Sequence, residues 1–252
     1  MRQQNRSPEQ AEVATAMPAV KTTTGDRAPP GVIALDIYGT VIDPAAIVIH
    51  LSNAFDTRAQ LAAQLWRERQ LEFTFRRALM RKYADFDLCT AQALTQVSAQ
   101  LGVKLGEDDK RALLDAYLRL PAFPDVKLGL ERLKASGYRI IALTNGTEKS
   151  VRALLQHAGI SEYFEMIVSA DAIKTFKPDP AVYQLVQRAG DTPKQSVWLV
   201  SGNPFDIIGA KAYGLKAAWV RRDPSRVFDP WEFSPDEVVQ NLQELCAALQ
   251  RK

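Results

Sequence analysis

The sequence predicts an α/β fold in which one parallel sheet is covered by helices on both faces and a helical block is inserted after the first strand. Three observations carry this. The apolar run Val32-Ile33-Ala34-Leu35 leads straight into Asp36 and then Gly39, the pattern of a short buried strand that ends in a sharp turn. From Val126 onward, short apolar runs alternate with helical patterns, as a parallel sheet with crossover helices requires. Between Pro44 and Pro124 strand signal is almost absent and helical spacing dominates.

The 252 residues allow one large or two modest domains, and 46% hydrophobic with 24% charged residues is an ordinary soluble globular composition. A net charge of +3 is too small and too dispersed to mark a nucleic-acid or anionic-membrane partner. The nearest basic cluster, Arg76, Arg77, Arg81 and Lys82, recurs at helical spacing and reads as a solvated face. Cys89 and Cys246 lie far apart without metal-ligand spacing, which suits packing residues in a reduced, cytoplasmic setting. His50 and His157 are too few for a histidine-based metal site, and no apolar run is long enough to span a bilayer.

Residues 1–30 are rich in Gln, Thr, Ala and Pro and lack the apolar centre of a secretory signal, so they read as a disordered tail. After the Asp36 turn, helices are expected over Thr57 to Tyr83, Thr90 to Leu101 with a threonine cap, and Asp108 to Leu120. In the first of these, Ala63, Arg67, Leu71, Phe75, Leu79 and Tyr83 recur at i, i+4, which sets the charge of Arg67 on an apolar row. Taken alone, the row favours an arginine that snorkels to water; the alternative is a guanidinium turned into a semi-buried pocket to meet an anion. Beyond Val126, strands are expected at Tyr138 to Leu143, Met166 to Val168, Val197 to Val200 and Ala217 to Val220. The helices between them end near Gly137, Gly159 and Gly214, one starts at Asp179-Pro180, and a last one is capped by Ser234 and carries Val238, Leu242, Leu245 and Leu249.

Parallel strands aligned in one sheet bring their carboxyl ends to one edge. That edge would hold Asp36, then Thr144-Asn145-Gly146, then Ser201-Gly202-Asn203-Pro204-Phe205-Asp206, with Lys177 on the loop between the last two. Each piece also reads as a turn, a cap or a solvated loop lysine. Together they supply carboxylates, hydroxyls, amides and a cation at one rim, a convergence that capping does not require. Such a set suits nucleophilic catalysis by an aspartate. Lys177 would keep the carboxylate ionised, Thr40 and Thr144 would donate to substrate oxygens, and Ser201, Asn203 and Asp206 would orient a water.

These motifs resemble the haloacid dehalogenase superfamily. Within it, Asp36-Ile37-Tyr38-Gly39-Thr40 and the segments Leu65-Trp66-Arg67, Gln70-Leu71-Glu72 and Ala116-Tyr117-Leu118-Arg119-Leu120 resemble the hydrolytic L-2-haloacid dehalogenases, over Gly31 to Arg222. The resemblance implies a Rossmann-like parallel-sheet core (residues 31–43 and 125–252) with an inserted helical cap domain (residues 44–124). It implies a small 2-haloacid as substrate, a D-2-hydroxy acid as product, and no cofactor or metal. Asp36 would be the nucleophile with Thr40 beside it, and Arg67 would receive the halide. Thr144 would bind the substrate carboxylate beside Asn145, Lys177 would steady Asp36, and Tyr183 would complete the network around it. Ser201, Asn203 and Asp206 would serve the hydrolytic half-reaction. Tyr38 belongs to the substrate-binding set, and Leu71, Phe86 and Phe205 would wall the apolar pocket. Dimers are common in that family, so a homodimer remains open.

The chain departs from the dehalogenase pattern at Thr144, where serine is usual, and at Gly202, Pro204 and Phe205, where serine, alanine and tryptophan are usual. These bear on substrate size and rate. The rival within the superfamily, a magnesium-dependent phosphatase, needs an aspartate where Tyr38 stands and an acidic residue where Gly202 stands, so a tight Mg²⁺ site is not expected. A lapsed enzyme kept as a binding module is the third reading, and no essential position is visibly lost.

Overall fold

The computed structural model describes residues 31–250, so the expectation of a disordered tail at residues 1–30 lies outside the described residues. Six strands, β1 (Val32–Leu35), β2 (Arg139–Thr144), β3 (Met166–Ser169), β4 (Val197–Ser201), β5 (Lys216–Val220) and β6 (Glu237–Val239), form one sheet in the order β3-β2-β1-β4-β5-β6. Every pairing is parallel. β1 lies between β2 and β4, where the strand order reverses, and this is the position at which open α/β sheets present a crevice.

All residues of β1 are buried because both faces are covered, which is why its sequence is apolar throughout rather than alternating. Ile33 and Leu35 share a core with Leu130 of α5 (Val126–Ala135), Leu154 of α6 (Glu148–His157) and Leu245 of α9 (Leu242–Gln250). Val32 and Ala34 face the opposite layer, with Val182 and Val186 of α7 (Pro180–Ala189) and Ile207 and Ala210 of α8 (Pro204–Tyr213). Leu35 is fully buried, so truncation to alanine would cost roughly 2–5 kcal/mol.

The inserted block holds α1 (Val48–Phe55), α2 (Ala59–Met80), α3 (Phe86–Gln100) and α4 (Glu107–Tyr117). Its buried side chains, among them Phe55, Trp66, Leu94 and Tyr117, run without a break into Tyr38, Val41 and Ile42 after β1. This apolar seam joins the cap to the loop that follows β1 and carries Asp36.

Several expectations need correction. α3 starts at Phe86 and is capped by Asp85, whose carboxylate accepts from the Leu88 N–H at 2.7 Å; Thr90 lies inside the helix and donates to the Phe86 carbonyl. α2 ends at Met80 because Arg81 takes a left-handed conformation (φ 55°), which leaves Tyr83 beyond the helix. Ser234 caps no helix: Val238 lies in β6, an edge strand too short to show a pattern, and α9 starts at Leu242.

Candidate active site

The backbone delivers Asp36 one residue past β1, where its N–H still bonds the Val200 carbonyl at 3.0 Å and continues the ladder with β4. The chain then turns back at Gly39 (φ +89°), and the N–H groups of Val41 and Ile42 converge on the Ile37 carbonyl at 3.0 and 2.9 Å. This tight loop points the Asp36 carboxylate into the sheet edge.

Three side chains hold that carboxylate. Thr40 Oγ1 donates to Oδ2 at 2.7 Å, and Asn203 Nδ2 donates to the same oxygen at 2.8 Å. Lys177 Nζ donates to Oδ1 at 2.9 Å and also to Asp206 Oδ2 at 2.9 Å, with only 1% of its side chain exposed. Tyr183 takes the other Asp206 oxygen at 2.9 Å. Burial alone would lower the Lys177 pKa, but Asp206 and Asp36 outweigh it and hold the ammonium above its ordinary value. Burial, followed by repulsion from Asp36, pushes Asp206 up against the pull of Lys177. Burial first, then Asp206, raises the Tyr183 phenol well above its ordinary value, so it stays a donor.

The surrounding loops are bound to one another. The Lys177 N–H donates to Asn145 Oδ1 at 2.8 Å, which ties the lysine loop to the end of β2. The Gly202 N–H donates to Thr40 Oγ1 at 2.7 Å, and the backbones there run so close that a Cβ on Gly202 would lie 2.2 Å from the Gly39 carbonyl oxygen. The serine usual at this position in the dehalogenase pattern therefore has no room in this backbone.

Arg67 does not snorkel. It is half-buried, and its guanidinium donates to Gln70 Oε1 at 2.7 Å and to the Tyr38 carbonyl at 3.0 Å, which carries α2 across to the nucleophile loop. Both partners are neutral oxygens, so among the described residues the positive charge is oriented without an ionic partner. Arg67 and Leu71 line a cleft of about 540 Å³ together with Gly39, Gly202, Asn203 and Arg222. Asn203 both lines the cleft and bonds Asp36, so a single side chain stands between the cleft and the carboxylate.

Other expected residues sit farther from that opening. Thr144 is fully buried, its Oγ1 accepting the Gly146 N–H at 3.0 Å; Ser201 is fully buried, its Oγ accepting the Asn203 N–H at 3.1 Å. Tyr183 meets Asp206 rather than Asp36 and lies beneath the site. Phe86 packs on the Tyr38 ring at 5.2 Å, and Phe205 meets Phe75 of α2 edge-on at 5.2 Å, so both seal the seam between cap and sheet. The Tyr38 ring also lies over Tyr117, and burial, then Tyr117 and Asp87, raise its phenol far above the ordinary range; only its carbonyl points toward Arg67 and Asn203.

Sequence reasoning missed Gln70 in the role it plays here, together with its partners Thr90 and Tyr117; the available signal was Gln70 standing three residues after Arg67. It also missed Arg222, which donates to the Thr40 carbonyl and to Asp125 Oδ1 at 2.6 Å, clamping the nucleophile loop to the chain leaving the cap. No sequence signal marks that contact. The donor set does not fit Mg²⁺: both carboxylates are committed to Lys177, Gly202 brings no side chain, and among the described residues no group of three or more His, Cys, Asp or Glu could hold a metal. Nor is any helix among the described residues long and apolar enough to cross a membrane.

The fold and this site together define an α/β hydrolase core built around a lysine-bridged aspartate under a helical cap. A family model for haloacid dehalogenase-like hydrolases matches residues 30–214, and the chain belongs to that family. Among its relatives, an (S)-2-haloacid dehalogenase of Pseudomonas sp. (strain YL) is 36% identical over 211 residues, covering 84% of this chain and 90% of that one. The structure of L-2-haloacid dehalogenase from Xanthobacter autotrophicus superposes with a TM-score of 0.83 at 30% identity, covering 88% of this chain and 98% of that one. A second structure of that enzyme, with chloropropionic acid covalently bound, gives 0.83 at 29% identity and covers 87% and 98% of the two chains.

Proposed function

We propose that this protein hydrolyses the carbon–halogen bond of short L-2-haloacids to give D-2-hydroxy acids through an aspartyl ester. The observation that carries this reading is the pairing of two groups across the cap boundary. A carboxylate that accepts hydrogen bonds from Lys177, Thr40 and Asn203 lies behind a cleft lined by Asn203 and Arg67, and among the described residues the Arg67 guanidinium bonds only neutral oxygens. An ionised, desolvated carboxylate is a competent nucleophile, and an uncompensated guanidinium suits a departing halide.

In the first half-reaction an Asp36 carboxylate oxygen bonds to C2 as the halogen leaves with the bonding pair toward Arg67, inverting the carbon. In the second, water attacks the carbonyl carbon of the ester, the C2–O bond stays intact, and the acyl–oxygen bond breaks. The hydroxy acid departs, one proton and one halide are released overall, and Asp36 keeps a water oxygen. Asn203 and Asp206 support this second step; Ser201 acts through the Asn203 backbone. Thr144, with no exposed surface, would reach a substrate carboxylate only if its turn opens. Leu71 contributes the apolar wall, with Phe86 and Phe205 behind it.

We take residues 44–124 as the cap domain and residues 31–43 and 125–252 as the core. A homodimer is the expected assembly, supported by the exposed apolar side chains Ile49, Leu79 and Met80, and sedimentation would test it. The free thiols of Cys89 and Cys246 support a reducing, cytoplasmic compartment. The deciding experiment is halide release from L- and D-2-chloropropionate with a chelator present, beside a phosphate ester. Release from the L isomer alone, undiminished by the chelator, is expected. Loss of turnover restored by Mg²⁺ would replace this reading with the phosphatase, and inertness toward both classes would leave a binding module.

A further inference from the structure

Gln70 is fully buried in α2, one helical turn after Arg67, and its amide bonds three cap side chains. Its Oε1 accepts from Arg67 Nη1 at 2.7 Å and from the Tyr117 hydroxyl at 3.0 Å, while its Nε2 donates to Thr90 Oγ1 at 2.5 Å. The amide orientation follows from chemistry. A guanidinium only donates, so the oxygen must face Arg67; the Thr90 hydroxyl gives its own proton to the Phe86 carbonyl at 2.7 Å and is left to accept from Nε2. Side chains from α2, α3 and α4 thus converge on one amide, and that amide fixes one edge of the guanidinium while the Tyr38 carbonyl fixes another.

A buried polar group is costly unless it is hydrogen-bonded, so the burial of Gln70 depends on these three contacts. Glutamate has nearly the same shape and would bind Arg67 more strongly, since charge-assisted hydrogen bonds are roughly twice as strong as neutral ones. It would also neutralise the arginine. We infer that Gln70 is the positioning residue of the halide step: it orients the Arg67 guanidinium with a neutral oxygen, so that the charge remains available to the departing halide. The inference rests on the reading of Arg67 as halide acceptor. Its consequence is that leaving-group preference is set by a residue that does not line the cleft.

The test uses the full chain and compares Gln70→Glu with Gln70→Met on L-2-chloropropionate and L-2-bromopropionate, together with inhibition by added bromide. Gln70→Glu keeps the contact and cancels the charge, with the Thr90 hydroxyl turning its proton to the new carboxylate. Gln70→Met conserves volume and removes the contact. Chloride is the poorer leaving group and depends more on stabilisation as it departs. Each variant should therefore lose about 10-fold or more on the chloro substrate, below the 10²–10³ of deleting such a donor outright, with a smaller loss on the bromo substrate. Bromide inhibition should weaken in parallel. A purely structural residue would slow both substrates equally and leave bromide inhibition unchanged. An unchanged chloro-to-bromo ratio and unchanged bromide inhibition in either folded variant would overturn the inference. Arg67→Ala separates the two levels: if it leaves ratio and inhibition intact, the assignment of Arg67 itself fails and the role of Gln70 fails with it.

Discussion

Replacing Lys177 by methionine keeps the side-chain length and removes the one cation shared by Asp36 and Asp206. At an effective dielectric near 20, opposite unit charges about 4 Å apart attract by roughly 4 kcal/mol. Without it, two buried carboxylates face each other with no counter-charge and cannot both ionise. The sign is that of a carboxylate losing its cation: Asp206, already pushed up by burial, holds its proton to still higher pH. The acid limb of kcat/KM should move up, the rate at pH 7 should fall by about 10²-fold or more, and part of it should return toward pH 9. In the native protein, the raised Lys177 gives stability that is full below the ordinary lysine value and lost as pH rises through the folded value. That alkaline loss should be absent from the variant. Halide release across pH, with thermal melts alongside, reads all three effects. A variant with a native rate at pH 7 and an unmoved acid limb would refute the dependence of Asp36 on Lys177.

Asp206→Asn should fold with an equal or higher Tm and lose most activity, because burial disfavours its charged form. The amide can offer its oxygen to Lys177 and its NH₂ to Tyr183, and a Tm lower by more than a few degrees would contradict this. The carboxylate's raised pKa also means that its contribution works against the native fold at neutral pH and fades as pH falls through the folded value toward the ordinary one. A single turnover in ¹⁸O-water with excess enzyme should give unlabelled hydroxy acid and label in Asp36; labelled first-turnover product would make Asp36 a general base. Gly202→Ser, which restores the residue usual in the dehalogenase pattern, should destabilise by about 1–3 kcal/mol, since its Cβ would lie 2.2 Å from the Gly39 carbonyl oxygen. A melting temperature unchanged from the native protein would show that the two loops can part without strain.

By itself the sequence determined the parallel core and the rim. The runs at Val32, Val197 and Ala217 are apolar throughout because both faces of those strands are covered, and that is a local signal. Asp36, Asn145 and the loop of Asn203 and Asp206 follow directly on β1, β2 and β4, and the Lys177 loop follows β3 after one short helical turn, so these residues could be assembled from strand order. β6 escaped notice because three residues hold no periodicity, and the start of α3 was misplaced because Asp85 and Thr90 are both good caps in sequence. Only the tertiary structure decided where Arg67 points. Its i, i+4 row is apolar whether the guanidinium reaches water or turns inward, and the choice rests on Gln70, Thr90 and Tyr117 meeting from three helices. It also decided that Thr144 and Ser201 are buried within their own turns, and that Gly202 is a glycine because the backbone of Gly39 passes against it. Those outcomes depend on contacts between segments far apart in the chain, where no pattern of neighbouring residues carries the information.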